Sequence, residues 1–207
     1  MWRNSVVTAV LGLLLGFFAG YLLGQQQPQP VSSAAGDPHA GIPGAPPLPG
    51  MGVTSPGGGT SGAAVNARLA EQAREIERLL AADPQNYTLL VEMGNVLYDL
   101  AMFARAAEYY ERARVLRDDN PDVLTDLGVC YRETNRPALA IELFDRAADI
   151  SDRHWQSRYN AAVVRLFDLN DARGAREEID KLNQLRSKMP EIPDLAGIEA
   201  EIARRLR

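Results

Sequence analysis

Cys130 is the only thiol in the chain, and His39 and His154 are its only imidazoles. Nucleophilic or metal-assisted chemistry needs such groups in company: a thiolate beside a base, or three to four ligands at short, regular spacing. The histidines are far apart in sequence and neither has neighbours at ligand spacing, so both are expected as solvent-facing or loop residues. Cys130 sits in an apolar helical stretch, where a buried structural thiol is expected, and a lone cysteine forms no intramolecular disulfide. Glu108, Glu111, Asp118 and Asp119 recur at helical spacing and read as a solvated face. Gly57-Gly58-Gly59 follows no strand and precedes no Gly-Lys-Ser/Thr, which leaves it as linker, and no GxSxG or HExxH segment occurs. The expectation is therefore no catalysis, no metal and no cofactor.

The charge distribution locates where a binding surface must lie. Residues 1–64 hold two formally charged side chains, Arg3 and Asp37, so that 26 of the 27 acids and 21 of the 22 Lys/Arg fall in 65–207. With a net charge of −5 and no basic cluster, the chain lacks the cationic patch from which phosphate binding draws its affinity. Nucleic acid is excluded as the main partner.

From Ser5 to Leu23 no residue is charged, and as a helix this stretch spans about 28 Å, close to a hydrocarbon core of roughly 30 Å. Trp2 and Tyr21 fall near its ends, where amphipathic rings favour the headgroup region. The run is longer than the apolar region of a cleaved secretory signal, and the small residues Ser33-Ala34-Ala35 lie well beyond it, so 1–24 is expected to be an uncleaved transmembrane anchor. Arg3 precedes the span and the next basic residue is Arg68, which keeps the N-terminus cytoplasmic and places the rest outside, in the periplasm if the source is bacterial. Gly12, Gly16, Gly20 and Gly24 share one helix face. That face suits a homo-oligomer or pairing with another membrane helix, against the alternative that glycine is simply common in such helices. Residues 25–64 carry 8 of the 13 prolines and 9 of the 17 glycines with no hydrophobic period, and read as a disordered tether with a reach on the order of 35 Å.

The remaining segment, 65–207, repeats itself every 34 residues. Leu90 pairs with Leu124, Met93 with Leu127, Gly94 with Gly128, Leu97 with Tyr131, Ala106 with Ala140, Tyr110 with Phe144, and Ala113 with Ala147. Each unit reads as two amphipathic helices, Tyr87 to about Ala101 and Phe103 to Arg117, then Pro121 to Glu133 and Pro137 to Ile150. A mid-helix glycine costs about 1 kcal/mol against alanine. Close approach of the paired helix would compensate at Gly94 and Gly128, with Ala106 and Ala140 facing across and Tyr110 and Phe144 filling the space between layers.

At these residues the sequence resembles the tetratricopeptide repeat (TPR) family of 34-residue helix-turn-helix units. The resemblance implies an all-α TPR helix-turn-helix solenoid, here preceded by one transmembrane helix and a disordered linker. Full repeats fall at about 87–120 and 121–154. A degenerate repeat at about 155–190 continues the glycine series at Ala162, carries Arg165 where an aromatic or leucine is usual, and needs one inserted residue to bring Ala175, Ile179 and Leu182 into register. Flanking helices at about 65–82 (Val65, Leu69, Ile76, Leu80) and 193–207 (Leu195, Ile198, Ile202, Leu206) would close the two ends.

By the same resemblance the first helices of each pair line a concave surface that takes a peptide or protein partner. Its lining would include Thr88, Val91, Asn95 and Tyr98 from the first full repeat, then Asp122, Thr125, Val129 and Arg132, then Gln156, Tyr159, Asn160 and Val163. Tyr98, Arg132 and Tyr159 are the side chains best suited to anchor a partner. The family's clamp for a chaperone's terminal carboxylate is matched only at Asn95, since Val91, Asp126, Gln156 and Asn160 replace its lysine, asparagine, lysine and arginine. A membrane-anchored scaffold or adaptor is the expected function. TPR subunits of c-type cytochrome maturation or secretion complexes share the architecture and form the alternative.

Overall fold

The computed structural model describes residues 60–207, with side chains from residue 62 onward. The expected membrane span over 1–24, its glycine face Gly12, Gly16, Gly20 and Gly24, and the tether up to residue 59 lie outside the described residues. Within them no helix is long and apolar enough to cross a membrane.

The described chain is all helical: α1 Thr60–Ala82, α2 Tyr87–Asp99, α3 Phe103–Leu116, α4 Pro121–Glu133, α5 Pro137–Ile150, α6 Trp155–Val163 running into a π-helical turn Val164–Asp168, α7 Ala172–Arg186 and α8 Ala196–Arg205. Successive helices pack against one another, with α2 on α3, α4 on α5 and α6 on α7 as the antiparallel pairs. Two boundaries differ from the sequence reading. Helix α1 starts at Thr60, so residues 60–64, read as linker, are helical. No proline lies between Pro56 and Pro84, and Ala63 and Ala64 favour helix, so nothing halts the backward extension. At the other end Pro193-Asp194 does not open the last helix. Asp194 accepts the Ala196 N–H at 3.3 Å, the helix begins at Ala196, and Leu206 is half-exposed, not part of the buried face.

Asparagine and proline set the starts of the first helices in each pair. The Asn86 side chain accepts the Leu89 N–H at 3.1 Å, and Asn120 accepts the Asp122 N–H at 3.0 Å with Pro121 in the first turn. The corners inside each pair repeat as well. Ala101, Asn135 and Asn170 carry φ of 55°, 59° and 54°, one left-handed residue per repeat. Asparagine tolerates this backbone better than alanine does, so Ala101 is the corner held against its own preference. Around it the Met102 N–H reaches the Leu97 carbonyl at 2.8 Å, and the Arg136 N–H reaches Tyr131 in the same way at 2.8 Å.

The packing expected at the two mid-helix glycines is present. A Cβ on Gly94 would meet the Tyr110 ring at 2.5 Å, and one on Gly128 would meet Phe144 at 2.5 Å. Tyr110 and Phe144 are 1% and 0% exposed, and Ala106, Ala113, Ala140 and Ala147 are wholly buried beside them. The glycines lower helix propensity, and the aromatic rings they admit recover more than that through burial.

The third repeat shows where its extra residue goes. The Leu169 N–H bonds to the Val164 carbonyl at 3.0 Å, five residues back, and the Asp171 N–H reaches Arg165 at 2.7 Å, six back where the earlier corners reach five. A π turn is a helix with one residue inserted. It therefore restores the register of Ala175, Ile179 and Leu182, all at most 1% exposed, in the places of Ala140, Phe144 and Ala147. Gly174 also has a local cause: its N–H donates to Asp171 at 2.8 Å, and a Cβ there would lie 2.1 Å from that carboxylate.

Candidate functional site

The π turn is held from three sides. Arg132 on α4 donates a forked pair of hydrogen bonds to the two oxygens of Asp168, and the Arg132 side chain is 4% exposed against 15% for Asp168. Arg165, where the repeat pattern calls for an apolar residue, bonds Asp145 on α5 at 2.9 Å and lies 3.8 Å from Asp171. From α8, Arg205 donates to the Leu166 carbonyl and to Asn170 Oδ1, with its guanidinium 5.2 Å from the Phe167 ring centre. The terminal helix thus caps the stack partly through an arginine that satisfies a carbonyl freed by the π turn.

The row expected to line the concave face divides by exposure. Thr88, Asn95 and Asp122 are open to solvent, and Val91 and Gln156 are half-buried. Tyr98, Thr125, Val129, Arg132, Tyr159, Asn160 and Val163 are buried, at 9%, 4%, 1%, 7%, 6%, 0% and 0%. Thr125 spends its hydroxyl on the Pro121 carbonyl at 2.8 Å, and Tyr159 packs edge-on against Trp155. Arg132 is a structural tie to Asp168, so its truncation acts on the fold before it acts on any partner. For His154 the expectation of a solvent-facing or loop residue is met in its second form only. It is a loop residue that caps α6, but its side chain is only 9% exposed and its Nε2 lies 3.0 Å from Asp122.

The chemistry of the accessible part is acidic. Asn95 accepts the Tyr110 hydroxyl at 2.8 Å, which satisfies that buried phenol. Tyr98, one turn further along α2, stands edge-on to Phe103 at 5.4 Å, and its hydroxyl is buried without a hydrogen-bond partner. Burial first, then the charges of Asp126, Glu133 and Asp99, push the Tyr98 phenol above its ordinary range. Asp126 is pushed up to about 7 by burial, with the charges of Asp122 and Asp99 adding to it, and burial also raises Asp99. Asp126, half-buried, stands at the register where the resemblance puts an asparagine of the carboxylate clamp. Asp99 escaped the sequence reading, although it lies four residues beyond Asn95 and so on the same helical stripe. Cys130 is wholly buried as expected, and burial raises its thiol out of the reactive range. Among the described residues no group of His, Cys, Asp and Glu could hold a metal ion.

The Asp126 carboxyl gives a stability prediction. Its folded pKa of about 7 exceeds the ordinary 3.8, so between those values the native state holds a proton that the unfolded chain has lost. Stability then falls as pH rises from about 4 through 7. Asp126→Asn is expected to match the wild type in urea titrations near pH 4 and to exceed it by about 2 kcal/mol at pH 8, a figure reduced for the residue's partial exposure. Equal stability at both pH values would show that the carboxylate is well solvated.

Comparison with known proteins agrees with this geometry. Residues 91–154 match the tetratricopeptide repeat family model. No curated protein matches the chain. Among solved structures, MamA is 20% identical with a TM-score of 0.56, covering 59% of this chain and 67% of that one. MamA from Desulfovibrio magneticus RS-1, from residue 41 to its end, is 16% identical with a TM-score of 0.57, covering 62% and 72%. YrrB, described as a TPR protein with an unusual peptide-binding site, is 22% identical with a TM-score of 0.55, covering 68% and 69%. Residues 91–154 thus match the tetratricopeptide repeat, and the described chain has the all-helical fold of a TPR solenoid.

Proposed function

We propose that this chain is a membrane-anchored interaction scaffold or adaptor, whose repeat domain lies outside the cytoplasm and takes a peptide or protein partner on its concave face. The observation that carries the reading is the row along α2, α4 and α6, in which Thr88, Asn95 and Asp122 stand open to solvent beside half-buried Val91 and Gln156. An accessible polar row over a rigid apolar stack is what a peptide groove requires: the helices are fixed by their own core, so little ordering is lost on binding. The anchoring half of the reading rests on the uncharged run from Ser5 to Leu23 and on Arg3 before it. A tether between the two would confine the domain to the neighbourhood of the membrane and raise its effective concentration towards partners there.

Two measurements test these halves separately. Protease added to spheroplasts expressing the full chain should remove the repeat domain, and protection, or a mature chain beginning near residue 36, would contradict the anchor. Thr88→Ala, Asn95→Ala and Asp122→Ala together should abolish crosslinking capture of the partner by the full-length membrane protein while its helicity is kept, at a lower melting temperature because Tyr110 and His154 lose their partners. Undiminished capture would move the binding surface off the concave face.

A further inference from the structure

Two acids beside the expected concave row stand without partners. Asp99 is exposed and Asp126 half-buried, and neither forms an ion pair or a hydrogen bond among the described residues, whereas most acids elsewhere on the stack do. The Tyr98 hydroxyl, in a residue that is 9% exposed, is buried without a partner and feels the charge of both carboxylates. One repeat along, at the register of Asp126, Asn160 is wholly buried and neither its amide oxygen nor its amide nitrogen has a partner. Buried polar groups are nearly always satisfied, so an orphaned hydroxyl and amide near carboxylates that have no cation mark a place where a polar, positively charged group is missing. The neighbouring cations do not fill it: Arg132 is forked onto Asp168, Arg136 lies over the Tyr131 ring at 4.3 Å, and His154 is taken by Asp122.

We infer that the unpaired carboxylates of Asp99 and Asp126, with the orphaned Tyr98 hydroxyl near them, receive the basic side chain, lysine or arginine, of the partner polypeptide. The inference rests on the groove reading above and adds the chemistry of what enters. The ammonium or guanidinium would donate to both carboxylates, giving the charge-assisted bonds that a cation makes best when partly desolvated, and its charge would reach the Tyr98 hydroxyl that those carboxylates already act on. It would also relieve the mutual repulsion that Asp99, Asp122 and Asp126 now exert. A partner presenting a carboxylate at this point would meet like charge, which makes the groove selective against acidic segments as well as for basic ones.

The test uses the full-length chain in detergent micelles at pH 8 and a positional library of N-acetylated, C-amidated undecapeptides in which one central position is fixed in turn as each amino acid. Wild type is expected to favour Lys or Arg over norleucine at that position by at least ten-fold. Asp126→Asn should reduce this preference to below three-fold with norleucine binding unchanged, and Tyr98→Phe should weaken the basic peptides alone by a smaller factor. Binding that favours apolar or acidic residues would overturn the cation site and leave the groove reading standing. A preference for basic residues that survives Asp126→Asn would overturn the assignment to these carboxylates, and no binding by any peptide would overturn both.

Discussion

Arg132→Ala should be among the most destabilising single substitutions in the described chain. The guanidinium is 4% exposed and forked onto Asp168, whose side chain is 15% exposed, and the pair ties α4 to the π turn of the following repeat. Removing the arginine leaves a carboxylate in a space too dry to solvate it, a loss of about 3–5 kcal/mol where one partner of a buried pair is deleted. For a chain of this size that corresponds to a fall in melting temperature of roughly 10 °C. Asp168→Asn should cost less, because the amide still accepts from the arginine, and Arg132→Met with Asp168→Leu should recover most of the loss by replacing ions with packing. Urea unfolding of the full chain followed by circular dichroism supplies the numbers. A loss under about 1 kcal/mol for Arg132→Ala would mean that Asp168 is wet and the tie weak.

Phe144→Ala should cost about 3–5 kcal/mol, since the ring is 0% exposed and fills the layer between α4 and α5. The more informative result is what it does to its neighbour. In the wild type Gly128→Ala sets a methyl 2.5 Å from the ring, so the gain of about 1 kcal/mol in helix propensity is offset and overpacking of about 1–3 kcal/mol makes the change destabilising. With the ring already gone the clash is gone, and the same Gly128→Ala change should stabilise by about 1 kcal/mol. A double-mutant cycle in urea therefore reverses sign. The same sign in both backgrounds would show that Gly128 is there for another reason.

The regular part of this fold was legible because the repeat writes the same contact twice. Leu90 and Leu124, Gly94 and Gly128, Tyr110 and Phe144 recur without a gap, and each pair is found buried in equivalent places. The third repeat was legible as a one-residue surplus, and the π turn is how the backbone absorbs it. What no pattern announced was the polar network around that turn: Arg165 with Asp145, Arg205 with the Leu166 carbonyl, Arg132 with Asp168. These partners lie between 20 and 39 residues apart in sequence, too far for helical spacing to link them. The same limit governed the groove. The repeat pattern nominates positions on the first helices, but exposure depends on what the next helix covers, so Val129, Asn160 and Val163 are buried while Asp99, one turn past Asn95, is open. His154 shows the rule in reverse: a polar loop residue is 9% exposed at its side chain, with Asp122, 32 positions earlier, 3.0 Å from its ring.

The central claim, that the concave row is where this protein meets its partner, is tested most directly by a photo-crosslinking amino acid placed singly along the full-length membrane protein in cells. Positions 88, 95 and 122 probe the row, and positions 115 and 139, exposed on α3 and α5 at 81% and 40%, serve as outer-face controls. The account predicts one discrete crosslinked species from the row, absent when Asp126→Asn is combined with Tyr98→Phe, and none from the controls. The same species arising from positions 115 and 139 with the row silent would contradict it.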